Sequence, residues 1–315
     1  MMKTRKDCSV FHEKRKTEQF FSARRSNMKE VREFIMKCVF LLTACVSIAA
    51  VVLICIFMFA NGLPAIGKIG PLNFLLGEKW KPMNNIFGIL PMIIGSIYVT
   101  AGAIIIGVPI AFFTSVYLAK FCNERLYKIL KPAVELMAGI PSIVYGFFGL
   151  VVIVPIMQKV MGGSGKSVLT ASVLLGIMIL PTVIGVAESS IRAVPDSYYE
   201  GALALGATRE RSVFFAVLPG AKSGILAGVV LGIGRAIGET MAVIMVAGNQ
   251  PIIPKSLGMG VRTLTSNIVM EMGYATDLHR EALIATAVVL FVLILIINLC
   301  CSALQKGEQT VIGKN

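Results

Sequence analysis

The sequence predicts an all-α, polytopic membrane protein with six transmembrane helices. Hydrophobic residues make up 56% of its 315 residues and charged residues only 15%, whereas a soluble domain carries about 25% charged residues. The mean hydropathy is +0.80. Six stretches are almost free of charge, and each reaches the length of about 20 residues that crosses the hydrocarbon core of a bilayer. This composition excludes an ordinary soluble enzyme and an intrinsically disordered chain.

The six predicted spans follow one another along the chain. The first, Val39–Ala60, comes after a mostly polar segment and is longer than the apolar core of about 7–15 residues of a signal peptide. The others are Leu90–Leu118, Leu136–Gln158, Ser167–Ala187, Pro219–Gly248 and Ala282–Gln305. We therefore expect a basic N-terminal segment (1–37), a first helix (38–60), an outer loop (61–89), a core of five helices (90–305) and a tail (306–315).

Alternate loops differ in their content of Lys and Arg. One set holds 21 of the 30 such residues and comprises 1–37, 120–131, 188–222 and 306–315. The other set holds 8 and comprises 61–90, 159–166 and 249–280. Because cytoplasmic loops are enriched in these residues, both termini are predicted to be cytoplasmic. The asymmetry also explains most of the formal charge of +13, so we expect contact with anionic membrane lipid and no nucleic-acid partner.

The fifth predicted span carries an arginine and a glutamate among small residues. On a continuous helix of 3.6 residues per turn, one face would present Gly224, Gly228, Gly232, Arg235, Glu239, Ala242 and Val246. Small residues let helices approach closely. The three glycines are therefore predicted to pack against another helix rather than against lipid.

Arg235 and Glu239 allow two interpretations. A charge at the bilayer centre costs about 2.5–3.5 kcal/mol on insertion scales. Arg235 could line the path of an anion, with Glu239 holding the guanidinium and limiting how tightly the anion binds. Alternatively, the two residues could only neutralise each other, four positions apart on one helix. A planar guanidinium suits a phosphate-like oxyanion because it donates two parallel hydrogen bonds. Thr240 would add a hydroxyl to the path, or would bond to its own helix backbone.

The segment 195–218, which we call the elbow, predicts two short helices on the cytoplasmic side. Ser197 and Glu200 fit a capping box at the start of the first helix, and Gly206 is a favoured residue just after its end. A second helix is expected to begin after Thr208 and to end with the segment. Helices this short are marginally stable alone, so the elbow is predicted to dock onto another protein.

The elbow carries a motif of known spacing. Glu200-Gly201-Ala202, then Gly206, then Leu218-Pro219 resembles the EAA loop of bacterial ABC import permeases. That pattern is Glu-Ala-Ala, three residues, Gly, nine residues and Ile-x-Leu-Pro. Gly201 replaces one alanine and Ala216 replaces the isoleucine. The resemblance implies that Glu200, Gly201, Ala202 and Gly206 couple the chain to a cytoplasmic ATPase.

Three further stretches narrow the resemblance. They are Ala138–Gly146, Leu180–Thr182 and Gly232–Val243 with its continuation to Asn249. They resemble the phosphate-specific permeases of the PstC type over roughly residues 35–305. This resemblance implies a type I ABC importer (MetI-like) permease fold in a bacterial cell membrane. It further implies that the chain forms half of the path of an ATP-driven importer of inorganic phosphate.

The same resemblance implies the partners. They are a sister permease of the PstA type, two copies of an ATPase of the PstB type, and an extracytoplasmic phosphate-binding protein of the PstS type. ATP and Mg²⁺ would be bound by the ATPase, so no cofactor is expected in this chain. The turn Gly162–Ser167 resembles the end of a P-loop, but Val160 stands where the pattern needs glycine. With His12 and His279 as the two histidines, neither a metal site nor a catalytic residue is expected.

Two alternatives remain open from the residues. The permease could carry another tetrahedral oxyanion, such as molybdate or sulfate, because one arginine does not separate these. The chain could also be a secondary anion transporter driven by an ion gradient. That class predicts an inverted repeat and broken helices, and the sequence shows neither clearly; it also leaves the elbow unexplained.

Overall fold

The computed structural model describes the backbone of residues 3–312 and the side chains of residues 32–300, 302 and 303. The side chains of the basic N-terminal segment before Arg32, and those of the tail 306–315, lie outside this description. Within the described residues, six helices are long and apolar enough to cross a membrane, which confirms the predicted number. They are Arg32–Ile69, Leu90–Phe121, Ser142–Met161, Val168–Arg192, Arg209–Gly238 and Asp277–Cys300.

The chain divides into two compact units, Met1–Phe57 and Met58–Asn315. The described residues of the first unit belong to helix α1 (Lys3–Ile69). Its apolar side chains, including Phe40 and Leu53, are exposed. The stretch Val39–Ala60 of this helix carries no charge, and such an apolar surface is suited to contact with lipid tails.

The predicted outer loop 61–89 contains regular structure within the second unit. Helix α1 continues to Ile69, and a short helix α2 (Pro71–Leu76) follows. Strands β1 (Trp80–Lys81) and β2 (Ile86–Phe87) then form an antiparallel hairpin. Elements of two to six residues leave little periodicity in a sequence, so the hydropathy pattern did not predict them.

The centre of the second unit is α7 (Val168–Arg192), which contacts both α3 (Leu90–Val116) and α10 (Leu218–Gly238). Glycines allow the close approach of α3. A Cβ atom at Gly107 of α3 would lie 2.7 Å from the carbonyl oxygen of Gly176 of α7, which is too close for any larger residue. The packing therefore fixes the position of α7 against its neighbours.

The helices after α10 complete the unit. They are α11 (Met241–Val246), α12 (Leu264–Glu271) and α13 (Asp277–Ile312). The end of α1 packs closely against α13. A Cβ atom at Gly62 would lie only 2.7 Å from the Cγ2 atom of Val288.

The third span begins later than predicted. Residues from Leu136 onward were expected in the membrane helix, but they belong to an amphipathic helix α4 (Glu124–Gly139). Ile140 is extended, with φ −71° and ψ 126°, because a residue before a proline avoids the helical conformation. The crossing segment starts after Pro141 and comprises α5 (Ser142–Phe148), a wide π turn (Gly149–Ile153) and α6 (Val154–Met161).

The fifth span is not the continuous helix that we predicted up to Gly248. Helix α10 ends at Gly238, Glu239 is extended with φ −68° and ψ 130°, and α11 begins at Met241. The extended conformation lets the Glu239 carboxylate accept hydrogen bonds from the amides of Thr240 and Ala242, at the start of α11. A side chain that satisfies free amides competes with the uninterrupted helix.

The first elbow helix, α8 (Asp196–Ala204), begins without the predicted capping box. Pro195 occupies the N-cap position, and its carbonyl accepts a hydrogen bond of 3.1 Å from the amide of Tyr198. The fixed φ of proline therefore sets the helix start instead of Ser197. The end is as predicted, because Gly206 has φ +86°, a conformation that glycine adopts without strain.

The second elbow helix begins as predicted but does not end at Leu218-Pro219. The Thr208 hydroxyl accepts a hydrogen bond from the amide of Arg211 at the start of α9 (Arg209–Ser212). A π turn (Val213–Val217) then joins α9 to α10 without a break. Pro219 has no amide hydrogen to donate to the preceding turn, and a wide turn before it avoids the clash that a regular helix would produce.

Candidate functional site

Arg235 lies on α10 and is half-buried. Its Nη1 atom donates a hydrogen bond of 3.1 Å to the Thr182 hydroxyl on α7. These two residues come from different helices, so the guanidinium stands at the contact between α7 and α10.

The ion pair between Arg235 and Glu239 is not formed in the structure. Glu239 is also half-buried, but its Oε1 atom accepts hydrogen bonds of 3.1 Å and 3.2 Å from the amides of Thr240 and Ala242. Its carbonyl oxygen accepts a hydrogen bond of 3.1 Å from the Thr265 hydroxyl. A carboxylate at a helix N-terminus is stabilised by the free amides and the helix dipole. The structure therefore shows neither a neutralising ion pair nor the predicted contact by which Glu239 would hold the guanidinium, and the role of Arg235 in an anion path stays a prediction.

Thr240 bonds to its own backbone, which was one of its two predicted interpretations. Its hydroxyl donates a hydrogen bond of 3.2 Å to the carbonyl oxygen of Gly238. That carbonyl belongs to the last residue of α10. The hydroxyl thus satisfies one of the acceptors that the break between α10 and α11 leaves free.

The guanidinium of Arg235 retains most of its hydrogen-bonding capacity. An arginine carries five N–H donors, and the bonds of the described residues commit one of them, to Thr182. The remaining donors keep the forked geometry that matches two oxygens of a tetrahedral anion. The arrangement can hold an oxyanion against a fixed positive charge without a competing carboxylate from Glu239.

The three glycines of the predicted stripe lie on the face of α10 that meets α7. A Cβ at Gly224 would collide with Ser190, and one at Gly228 would lie 3.2 Å from the Cβ of Val186. One at Gly232 would lie 2.7 Å from the Cγ2 of Val183. Larger residues would push α10 away from α7, and the bond from Arg235 to Thr182 spans that same contact.

The elbow presents its motif residues on the surface. Glu200, Gly201 and Gly206 are exposed, and Ala202 is half-buried. Leu205 between them is 91% exposed. A leucine so open to solvent at the tip of a short helix is suited to burial in a partner.

Two contacts fix the elbow to the stretch that follows α3. Lys120 forms an ion pair of 3.4 Å with Asp196 at the start of α8. The Nη2 atom of Arg209 donates a hydrogen bond of 2.7 Å to the carbonyl oxygen of Lys120. Both elbow helices therefore rest on the π turn Tyr117–Phe121.

Sequence reasoning missed a buried carboxylate beside the elbow. Glu188 of α7 accepts hydrogen bonds from Tyr127 (2.8 Å), Lys131 (2.6 Å) and Arg192 (2.8 Å). Burial lowers the pKa of Lys131, but the hydrogen bond and charge of Glu188 outweigh it and raise that pKa above its ordinary value. The hydrogen bond to Glu188, with burial, also raises the pKa of Tyr127. The one available signal was a lone acidic residue at the end of an apolar span.

A second buried carboxylate lies at the other end of the unit. Glu271 accepts hydrogen bonds from Trp80 Nε1 (2.8 Å) and Arg262 Nη1 (2.6 Å), and bonds with His279 Nε2 at 2.8 Å. These partners come from the hairpin, the loop before α12 and the start of α13. The Glu271 cluster therefore ties together three segments that the sequence predicted only as outer loops. Among the residues that the structure describes, no group of three or more His, Cys, Asp or Glu side chains could hold a metal ion.

Comparison with protein families identifies the class of this fold. Residues 103–307 match the model described as the binding-protein-dependent transport system inner membrane component. The chain belongs to this family, the membrane-spanning permeases of ABC importers, whose members work with an ATPase and a binding protein. With its six apolar helices, it is a multi-pass membrane protein, and permeases of this family form a channel and are not enzymes.

Individual relatives narrow the comparison. The chain is 36% identical over 284 residues to a probable ABC transporter permease protein, YqgH, of Bacillus subtilis, with 88% of each chain covered. It is 34% identical to the phosphate transport system permease protein PstC of Mesorhizobium japonicum, with 78% of this chain and 81% of that protein covered. A probable PstC of Methanocaldococcus jannaschii is 31% identical, with 79% and 85% covered.

Solved structures agree on the fold. A chain of the methionine ABC transporter MetNI in an inward-facing conformation superposes with a TM-score of 0.58 at 19% identity, covering 73% of this chain and 99% of that chain. A chain of a bacterial ABC transporter that imports alginate gives a TM-score of 0.54 at 14% identity, covering 82% and 94%. The fold is therefore that of a type I ABC importer permease, as predicted.

Proposed function

We propose that this chain is a permease subunit of an ATP-driven importer of inorganic phosphate. The observation that carries the proposal is Arg235, a half-buried cation among apolar helices, which bonds to Thr182 and not to Glu239. A guanidinium with free forked donors suits a tetrahedral oxyanion. Relatives that bear the name of phosphate permeases cover most of the chain.

The coupling side of the proposal rests on the elbow. The exposed Glu200, Gly201, Gly206 and the half-buried Ala202 would dock onto an ATPase of the PstB type. A sister permease of the PstA type would complete the path, and a PstS-type protein would deliver phosphate from outside. ATP and Mg²⁺ belong to the ATPase pair in this scheme. Its docking side is the cytoplasm, and the distribution of Lys and Arg predicts that both termini lie on the same side.

The continuous helix between the elbow and Arg235 supports a proposal of alternating access. Closure of the ATPases would displace the elbow, and α9 leads without a break into α10 and Arg235. Exchange between two rigid arrangements of helices would expose Arg235 to one side and then to the other. Glu239 stabilises the start of α11 beside this position, and Thr240 closes the end of α10.

Uptake of labelled phosphate at micromolar supply tests the proposal in cells that lack the gene. The wild-type chain is expected to restore uptake, whereas Arg235→Gln at equal membrane abundance is expected to lose most of it. Arg125→Gln is the matched control, because Arg125 is exposed on α4. Failure of the wild-type chain, with its partners present, would contradict phosphate as the substrate and would turn the test to sulfate and molybdate.

A further inference from the structure

Glu188 is a buried carboxylate that the path itself does not use. It is 1% exposed, and both of its oxygens are occupied. Oε1 accepts from Tyr127 and from Arg192, and Oε2 accepts from Lys131. The guanidinium of Arg192 also lies over the Tyr127 ring, 4.4 Å from its centroid. We call these four residues the Glu188 cluster.

The cluster joins segments that are far apart in sequence. Tyr127 and Lys131 stand on α4, whereas Glu188 and Arg192 stand on α7. Arg192 also donates a hydrogen bond of 2.7 Å from Nη2 to the carbonyl oxygen of Leu118, in the π turn after α3. A buried ion pair adds little net stability over apolar side chains of similar volume. Its effect here is to fix one relative position of α4, α7 and the end of α3.

The elbow is attached to this same position. Lys120, two residues after Leu118, pairs with Asp196 at the start of α8. Arg209 at the start of α9 bonds to the carbonyl oxygen of Lys120. The elbow is thus held by polar contacts to a turn that Arg192 of the Glu188 cluster also holds.

The other end of α4 leads to the candidate path. The hydroxyl of Tyr145 on α5 donates a hydrogen bond of 2.8 Å to the carbonyl oxygen of Met137 on α4. At the next residue of α5, a Cβ at Gly146 would lie 2.9 Å from the Cα of Ala242 on α11. Contacts therefore run from the elbow through the Glu188 cluster and α4 to α5 and α11, where Glu239 is bound.

We propose that Glu188 is a positioning residue for coupling, because it locks α4 to α7 and to the end of α3. A displacement of the elbow is then passed through α4 to α5 and α11 instead of being lost at a loose joint. The proposal rests on the proposed function in that it takes an ATPase as the source of the displacement. Glu188 contacts neither the ATPase nor the anion in this scheme.

The test uses the full transporter in liposomes, with the sister permease and both ATPases. A cysteine at Met241 reports on the start of α11, where the proposed route ends, because Met241 is 47% exposed. The rate of its labelling by a membrane-impermeant maleimide is measured without nucleotide and with ATP and vanadate. The same chain without the reporter gives the background of the native cysteines.

The labelling rate in the parent transporter is expected to change several-fold with nucleotide. Glu188→Gln is expected to bring the ratio of the labelling rates with and without nucleotide close to one, while ATP hydrolysis continues. Glu135→Gln is the matched control, because Glu135 lies 3.7 Å from the same Lys131 but is 65% exposed, and it is expected to keep the parent ratio. A purely structural role would lower the amount of assembled complex and leave the ratio intact, and that result would overturn the proposal.

Two further results keep the test decisive. If Glu188→Gln does not assemble, Tyr127→Phe removes one of the three hydrogen bonds, and an intermediate ratio is expected; a ratio equal to the parent's would overturn the proposal. A parent transporter whose reporter ignores nucleotide would overturn it as well. Labelling does not involve phosphate, so a responsive parent that takes up no phosphate would contradict the proposed substrate while the ratio still decides on Glu188.

Discussion

Replacing Thr182 by valine removes the hydroxyl that holds Arg235 and keeps the shape of the side chain. The hydrogen bond from Arg235 Nη1 to Thr182 Oγ1 is 3.1 Å long, and a hydrogen bond to a charged group contributes about 1.5–3 kcal/mol. Both residues are half-buried, so water weakens this hydrogen bond and its contribution lies at the lower end of this range. A loss of about 1.4 kcal/mol corresponds to a tenfold change in an equilibrium constant.

Thr182→Val is therefore expected to raise the phosphate concentration for half-maximal uptake about tenfold, with a smaller change in the maximal rate. Thr182→Ser keeps the hydroxyl and is expected to restore most of the affinity. Ser189→Ala is the matched control, because that hydroxyl on α7 bonds only to the carbonyl of Gly185 in its own helix. The assay is initial uptake of labelled phosphate over a range of concentrations. Equal affinity for Thr182→Val and the wild type would refute the idea that Thr182 orients the guanidinium.

Three further predictions concern packing, the elbow and pH. Gly232→Ala would place a Cβ 2.7 Å from a Val183 methyl group, whereas Gly234→Ala meets nothing within 4 Å; only the first is expected to lower the midpoint of thermal unfolding in detergent, at a cost of about 1–3 kcal/mol. Gly206→Ala forces an L-residue into φ +86°, a strain of roughly 1–2 kcal/mol, so less ATPase should co-purify; unchanged recovery would contradict this. Lys131→Met is expected to lower the thermal midpoint at neutral pH. Because the folded-state pKa of Lys131 is raised, this stabilisation is present below the unfolded pKa and lost as pH rises through the folded one. The difference in thermal midpoint between the wild type and Lys131→Met should therefore narrow only as the pH rises beyond the ordinary lysine pKa of 10.5. A difference that narrows near neutral pH would contradict a raised pKa for Lys131.

The six spans were predictable because about 20 consecutive apolar residues are enough to indicate a helix that crosses a membrane. The ends of the helices were predictable where a single residue decides them, as Gly206 and Thr208 do. The break at Glu239 was not, because a glutamate four residues after an arginine is equally compatible with a continuous helix. Whether the helix breaks at Glu239 depends on whether the carboxylate bonds to Arg235 or to the amides that follow it.

The partners of the charged side chains were also beyond the sequence. Thr182 stands in a recognised motif, but nothing in the local pattern shows that its hydroxyl faces Arg235 from another helix. Glu188 and Glu271 each bind three groups, and half of these six groups come from segments distant in the chain. Such contacts depend on how helices pack, and a hydropathy profile carries no information about which polar side chains meet.

The unbroken path from α9 to α10 has a mechanical consequence. Arg209 and Arg235 lie 26 residues apart on a rod without an intervening loop, which at 1.5 Å per residue is about 39 Å. If such a rod tilts by about 5° around its elbow end, its far end sweeps about 3 Å. That sweep matches the length of the bond from Arg235 to Thr182. A small rotation of this helix at the elbow is thus large enough to break the hydrogen bond between Arg235 and Thr182 of α7.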